Sequence, residues 1–200
     1  MPDWFQQGGF VMWPLLVCSV AGVAIIIERC WALRRQRIIP AAVAAVLANR
    51  GSDKETTAKL KALTEHDASM LGELTRVAFD HAARHKTENI EAVQAVARQA
   101  VGRMERGLTT LGLIAELGPL LGLLGTVNGM LHLFADVANL GLSDPKQISA
   151  GISEALVATF TGLSISIPAL IAYMYFRRRI EMLVLEMERH VDELLTRLYP

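Results

Sequence analysis

Apolar positions along this chain gather into three long runs, separated by segments in which they recur only every third or fourth residue. The first run covers residues 10–27; the second and third, 117–137 and 149–176, are joined by one short polar stretch. A helix needs about 20 largely uncharged residues to cross a hydrocarbon layer of about 30 Å. The runs therefore predict three membrane helices, the last two forming a hairpin. Trp4, Phe5 and Trp13 at one end of the first run and Trp31 at the other stand where amphipathic rings favour the two interfaces. Pro14 falls near the first turn, where a missing amide donor costs least.

Between the first two spans the pattern changes to the helical period of soluble segments. Pro40 starts a short Ala-rich helix that Gly51 ends, and Ser52 with Glu55 has capping-box spacing. Leu71, Leu74, Val77 and Ala78 predict an amphipathic helix over 67–86. Thr87 can cap a further helix from Glu88, and the periodicity then runs into the membrane stretch, predicting one helix over 88–137, about 75 Å at 1.5 Å per residue. After a turn over 139–143, Asp144-Pro145 has the chemistry of a helix start. Tyr173 and Tyr175 mark an inner aromatic belt, and Arg177-Arg178-Arg179 end the apolar part. Ile180, Leu183, Val184, Met187 and Val191 then carry the same helix on amphipathically to about 198.

The fold class expected is thus an all-α integral membrane protein with three transmembrane helices, two of them long and extending into the cytosol. The soluble part is small and split between two segments, so it is expected to bundle with neighbouring subunits rather than close a core alone. The predicted segments are 1–9, periplasmic; 10–30, first membrane helix, its helical pattern running to about 37; 31–116, cytoplasmic; 117–137, second membrane helix; 138–148, periplasmic loop; 149–176, third membrane helix; and 177–200, a cytoplasmic C-terminal helix.

Charge sets the orientation. Lys and Arg number 20, as do Asp and Glu, so the net charge of zero hides a segregation. No Lys or Arg precedes Arg29, and only Lys146 lies between the two hairpin helices. Basic residues stay on the cytoplasmic side, which puts the N-terminus and the 143–146 loop outside and the middle and C-terminal segments inside. The charge order around the first run is the reverse of a secretory signal's. No basic stripe interleaved with aromatics points to nucleic acid. Cys18 and Cys30 share one predicted helix about 18 Å apart, too far to bridge, and have no partners at metal spacing. No nucleophile–base pair or phosphate loop suggests an enzyme, and no cofactor is implied.

The chemistry is in the polar and small residues of the spans. Gly118, Gly122, Gly125 and Gly129 form one stripe, and Gly151, Ala155, Ala158, Gly162, Ser166 and Ala169 form another, with Pro168 beside it. Such stripes let helix backbones approach closely, a main source of association energy in lipid. Glu154 lies about 28 Å from Tyr173 along the helix, near the outer mouth. It is either an interfacial carboxylate held by water or a group facing an internal cavity. Thr126 and Thr159 lie deeper; each either returns its hydroxyl to its own helix or serves the cavity. Asn128, His132 and Asp136 make a possible polar ladder at i, i+4, i+8. Glu154 and Thr159 are about 140° apart around an ideal helix, so one cavity takes both only if its wall is broad or the helix distorted.

These residues resemble a known family. The stretch Pro119-Leu120-Leu121-Gly122-Leu123-Leu124-Gly125-Thr126-Val127, with Gly129-Met130, the stretch Gly151-Ile152-Ser153-Glu154-Ala155-Leu156, with Ala158-Thr159 and Gly162-Leu163, and Ile167-Pro168-Ala169 resemble the MotA/TolQ/ExbB proton-channel family. Ile27-Glu28-Arg29 closes the first span as in that family. The likeness covers nearly the whole chain and is nearer to the ExbB and TolQ branches than to MotA, whose members typically have four spans. It implies a pentameric ring in the bacterial inner membrane, its lumen lined by spans two and three. The lumen would hold a single-span ExbD/TolR-like partner that brings the protonatable aspartate. It also implies a TonB/TolA-like energy transducer and proton-motive force as the drive. By motif, Thr126 and Thr159 would be lumen hydroxyls and Glu154 a lumen carboxylate at the outer mouth. An ExbB-like role in TonB-dependent transport, a TolQ-like role in envelope integrity and a non-conducting membrane scaffold remain the alternatives.

Overall fold

A computed structural model of the chain describes residues 8–48, 54–65, 67–140 and 145–199, and every regular element among them is a helix. In chain order these are α1 (Met12–Ala32), α2 (Arg35–Ile38), α3 (Ala41–Ala48), α4 (Lys54–Glu65), α5 (Met70–Asp80), α6 (Lys86–Glu105), α7 (Leu108–Leu140) and α8 (Pro145–Leu198). The caps expected at Gly51, Ser52 and Asp144, the outer belt residues Trp4 and Phe5, and most of the 139–143 turn lie outside the described residues. The chain divides into two compact units. One comprises residues up to Glu28 with Gly107–Tyr175, the other Arg29–Arg106 with the chain from Phe176.

Three helical stretches are long and apolar enough to cross a membrane: Met12–Ala32, Lys86–Ala138 and Ile148–Leu198. In the first unit their burial pattern is that of a protein whose solvent is lipid. Large side chains such as Val17, Leu131, Phe160 and Ile171 point outward, each more than 60% exposed, while Gly118, Ala155, Ala158 and Ala169 are buried. Lipid tails are as apolar as leucine, so the inside is chosen for close backbone packing rather than for hydrophobicity.

The helix expected over 88–137 is not continuous. The chain leaves α6 at Glu105, turns over Arg106 and Gly107, and starts α7 at Leu108. Gly107 takes φ +79°, a left-handed conformation that side chains resist, and a Cβ there would also stand 3.4 Å from Ile25 Cγ2. Hydrophobic periodicity passes through such a turn unchanged, because it records apolar spacing and not the backbone conformation of a single residue. The helix expected over 67–86 is likewise shorter. Ser69 caps it by accepting from Gly72 N at 3.0 Å, with Asp67 bracing Ser69 through its amide and hydroxyl at 2.9 Å each. It ends at Asp80, and a turn over 81–85 leads into α6. In contrast α8 runs unbroken through Pro168 to Leu198.

The second unit closes a core of its own, contrary to the expectation that so small and divided a part would not close one alone. Ile39, Leu47, Leu60, Leu71, Leu74, Met104, Leu183 and Leu194 are essentially fully buried within the single chain. The continuation of α8 makes this possible, because it adds Ile180, Leu183, Met187, Leu194 and Leu195 to the apolar faces of α2 to α6. Its end is fastened by the Tyr199 hydroxyl, which lies within 3.1–3.3 Å of the His81, Ala82 and Arg84 carbonyls. Buried Asn89 Nδ2 donates to that hydroxyl at 3.0 Å and to Ala78 O at 2.9 Å.

Candidate functional site

The crossing of α7 and α8 is set by glycine. A Cβ on Gly162 would stand 2.5 Å from Gly118 O and 3.0 Å from Gly122 Cα, and one on Gly125 would stand 2.3 Å from Ala158 Cβ. Nothing larger than hydrogen fits at those points, so the two backbones run in contact. Gly129 and Gly151 continue the seam toward the loop, with Gly129 O 3.4 Å from a Cβ on Gly151. Buried Ser166 returns its hydroxyl to Gly162 O at 2.8 Å, which lets a polar residue sit in the seam at no cost in unpaired groups.

Close approach puts Thr159 against α7. Its hydroxyl lies 3.4 Å from Gly122 O and 3.3 Å from Ala155 O of its own helix. Thr126 stands one turn beyond Gly122 on α7, about 6 Å along the axis, and donates to Leu123 O at 2.7 Å. Both threonines are half-buried. The hydroxyls therefore fall on one flank of the helix pair, each with lone pairs to spare for a further donor.

Glu154 lies on the other flank. Its stripe on α8 continues through Ala158, Thr161 and Ile165, and this stripe meets α1: Ile165 and Val157 pack on the buried cluster of Val11, Met12 and Leu15. The Glu154 carboxylate reaches the chain just before α1, where a Cβ on Gly9 would stand 2.2 Å from Oε1. Gly9 also takes φ +68°, so glycine is required there twice over. On α7 the same flank carries Leu121, which packs on the α1 cluster, and Gly125, whose Cβ position is 3.7 Å from Val11 Cβ. Asn128 and His132 follow at about 20° from Leu121 on the helical wheel, and Thr126 at about 140°. Asn128 is half-buried, whereas His132 and Asp136 are exposed. The 140° between Glu154 and Thr159 thus corresponds to two different surfaces of one continuous helix, which Pro168 leaves unbroken.

Among the described residues no group of three His, Cys, Asp or Glu is placed to hold a metal ion, and Cys18 and Cys30 are free thiols. One arrangement had no sequence signal. Arg29, 4% exposed at the end of α1, donates from Nη1 to the Met104 and Arg103 carbonyls at 3.1 and 3.4 Å, satisfying the last turn of α6.

Comparison with known proteins agrees with this architecture. The profile of the MotA/TolQ/ExbB proton channel family matches residues 41–189. The biopolymer transport protein exbB1 of Vibrio cholerae is 32% identical over 169 residues, covering 82% of this chain and 73% of that protein. The biopolymer transport protein ExbB of Neisseria meningitidis serogroup A is 26% identical over 201 residues, 96% of this chain and 90% of the relative. The Tol-Pal system protein TolQ of Pseudomonas aeruginosa is 36% identical over 108 residues, 52% of this chain and 47% of that one. With most of its length matched and its spans and motifs in order, the chain belongs to the MotA/TolQ/ExbB proton channel family.

Proposed function

We propose that this membrane protein is an ExbB-like subunit of an inner-membrane motor. Five copies form a ring whose lumen is walled by α7 and α8, with the N-terminus periplasmic and the C-terminus cytoplasmic. The observation that carries this reading is the placement of Thr126 and Thr159 on one flank of a glycine-tight helix pair, apart from Glu154. Among the described residues the partners of both hydroxyls are backbone carbonyls, and no carboxylate of this chain is bonded to either. A proton relay along that flank needs a titrating carboxylate from a second polypeptide, here an ExbD-like protein whose single span enters the lumen. Moving one charge across the membrane potential yields about 2.3 kcal/mol per 100 mV, and the ring passes that work to a TonB-like transducer serving outer-membrane transport. Glu154, at the outer end beside Gly9, is proposed as the carboxylate of the periplasmic mouth.

Thr159→Ala tests the assignment. Uptake that depends on the transducer should fall by at least about tenfold, the scale of one lost transition-state hydrogen bond, with the extracted complex unchanged in mass. Full uptake in this variant would refute the lumen role. The similarity to TolQ supports a second reading, the same machine in a Tol-Pal system. A deletion strain that is detergent-sensitive but imports normally would select it. A non-conducting scaffold would show no proton flux with any single-span partner and would tolerate Glu154→Gln.

A further inference from the structure

The contact between Glu154 and the turn ahead of α1 is made by the end of one side chain against a glycine. A Cβ on Gly9 would stand 2.2, 3.1 and 3.6 Å from Oε1, Cδ and Cγ of Glu154, so the carboxyl group rests on the face that Gly9 leaves bare. Non-bonded heavy atoms settle about 3.5–4.0 Å apart, and no methyl fits there while the carboxylate keeps its place. The turn itself is fixed by the φ of +68° at Gly9 and by Met12 N donating to Gly9 O and Trp13 N to Phe10 O, at 3.3 Å each. The first amides of a helix have no partner within it and its dipole is positive at that end, so an anion is favoured here. From this point α1 and α8 keep step. The cleft between them, about 490 Å³, is lined by Met12, Leu16 and Ser19 on one side and by Val157, Thr161 and Ser164 on the other, at the same spacings. Packing of Val157 and Ile165 on Val11, Met12 and Leu15 thereby holds Gly9 at the height of Glu154.

We propose that Gly9 is a positioning residue for Glu154, the turn ahead of α1 being the seat that fixes the carboxylate of the periplasmic mouth. The inference rests on the mouth role proposed above for Glu154, and it gives α1, which does not wall the lumen in that reading, a task in the same machine. A glutamate side chain left free spreads over many rotamers; seated, it presents its carboxylate at one place. The geometry also says which part gives way when the seat is filled. At Gly162 an added methyl meets the backbone of α7 and must push a helix aside. At Gly9 it meets only the far end of a long side chain, and the easiest relief is for the carboxylate to leave. Gly9→Ala therefore displaces Glu154 before it disturbs the packing of α1. Gly8 supplies the contrast, because a methyl there would meet Met12 Cγ and Sδ at 2.5 Å and strain the same turn against a different side chain.

The test places full-length variants at the native locus and measures transducer-dependent uptake together with the amount and mass of the extracted complex. Gly9→Ala should lower uptake several-fold at unchanged mass. Adding Glu154→Asp, whose carboxylate is one methylene shorter and clears the new methyl, should win back much of the loss. If Gly9→Ala lowers the amount of complex instead, the same second substitution should restore the amount. Gly8→Ala should gain nothing from Glu154→Asp, since its methyl does not touch that side chain. Full uptake in Gly9→Ala would overturn the seat, and so would a double variant no better than Gly9→Ala in uptake and amount alike. Glu154→Ala separates the two claims. Full uptake in that variant would remove the mouth role and the seat with it, whereas lost uptake there beside a failed rescue would remove the seat and leave the mouth standing.

Discussion

The guanidinium of Arg29 donates to the Met104 carbonyl at 3.1 Å, binding the last turn of α1 to the C-terminal end of α6 across 75 positions of sequence. Two orphan carbonyls at a helix end are satisfied by one buried cation, which also sits favourably at the negative end of the helix dipole. Arg29→Ala leaves those carbonyls without their donor. A charge-assisted bond of this kind contributes about 1.5–3 kcal/mol. The variant should unfold at lower temperature in detergent, with faster amide exchange confined at first to the last turn of α6. Unchanged exchange there would show that water replaces the cation at no cost.

Two glycine substitutions should act in opposite directions. Gly162→Ala drives a methyl to 2.5 Å from the Gly118 backbone oxygen, and α7 must retreat, at a cost of about 1–3 kcal/mol. Gly102 lies on the exposed face of α6 with nothing within 4 Å of its Cβ position, so Gly102→Ala should stabilise by about 0.5–1 kcal/mol through backbone entropy alone. Thermal denaturation of the two variants side by side checks both signs.

Tyr199→Phe removes the hydroxyl that collects the carbonyls of the 81–84 turn and the amide of Asn89. About 1 kcal/mol of stability should go with it. The end of α8 should become sensitive to carboxypeptidase while the span regions stay protected. Equal resistance in variant and wild type would assign the anchoring to the Arg197 contacts with Val46 and Leu47 instead.

Glu186 is held below the usual carboxylate range, first by its side-chain hydrogen bond to Arg35, while burial opposes the shift; Arg35 is raised by the same bond. A carboxyl whose folded pKa is depressed contributes stability that is complete above its unfolded value near 4.5 and is lost as pH falls through the lower folded value. The raised guanidinium keeps its charge through neutral and moderately alkaline pH, so no loss follows on that side. Wild type should therefore lose stability relative to Glu186→Gln as pH drops below about 4.5, with the two curves parallel between pH 6 and 8. The effect is small because Arg35 is solvent-exposed. Parallel curves throughout would mean the pair survives no better folded than unfolded.

Much of the architecture was legible in the sequence because the deciding forces are local or one-dimensional. The run lengths at 10–27, 117–137 and 149–176 mark three spans, since a bilayer imposes a thickness on any helix that crosses it. The amphipathic pattern after Arg179 carried α8 to Leu198, and the spacing of Gly118, Gly122, Gly125 and Gly129 identified a face for close packing. The turn at Gly107 was not legible, because hydrophobic spacing is the same on either side of it and a single glycine within a helical pattern need not break it.

Tertiary structure alone decided which faces meet. Glu154 and Thr159 are both polar groups within an apolar helix, and nothing in their spacing says that the first reaches Gly9 while the second meets Gly122. Likewise the pairing of Arg29 with Met104 and of Tyr199 with Asn89 joins residues 75 and 110 positions apart. A periodic sequence specifies each helix and its sticky face; the partner of that face depends on the packing of every helix at once, so contacts between distant segments appear only when the chain is folded.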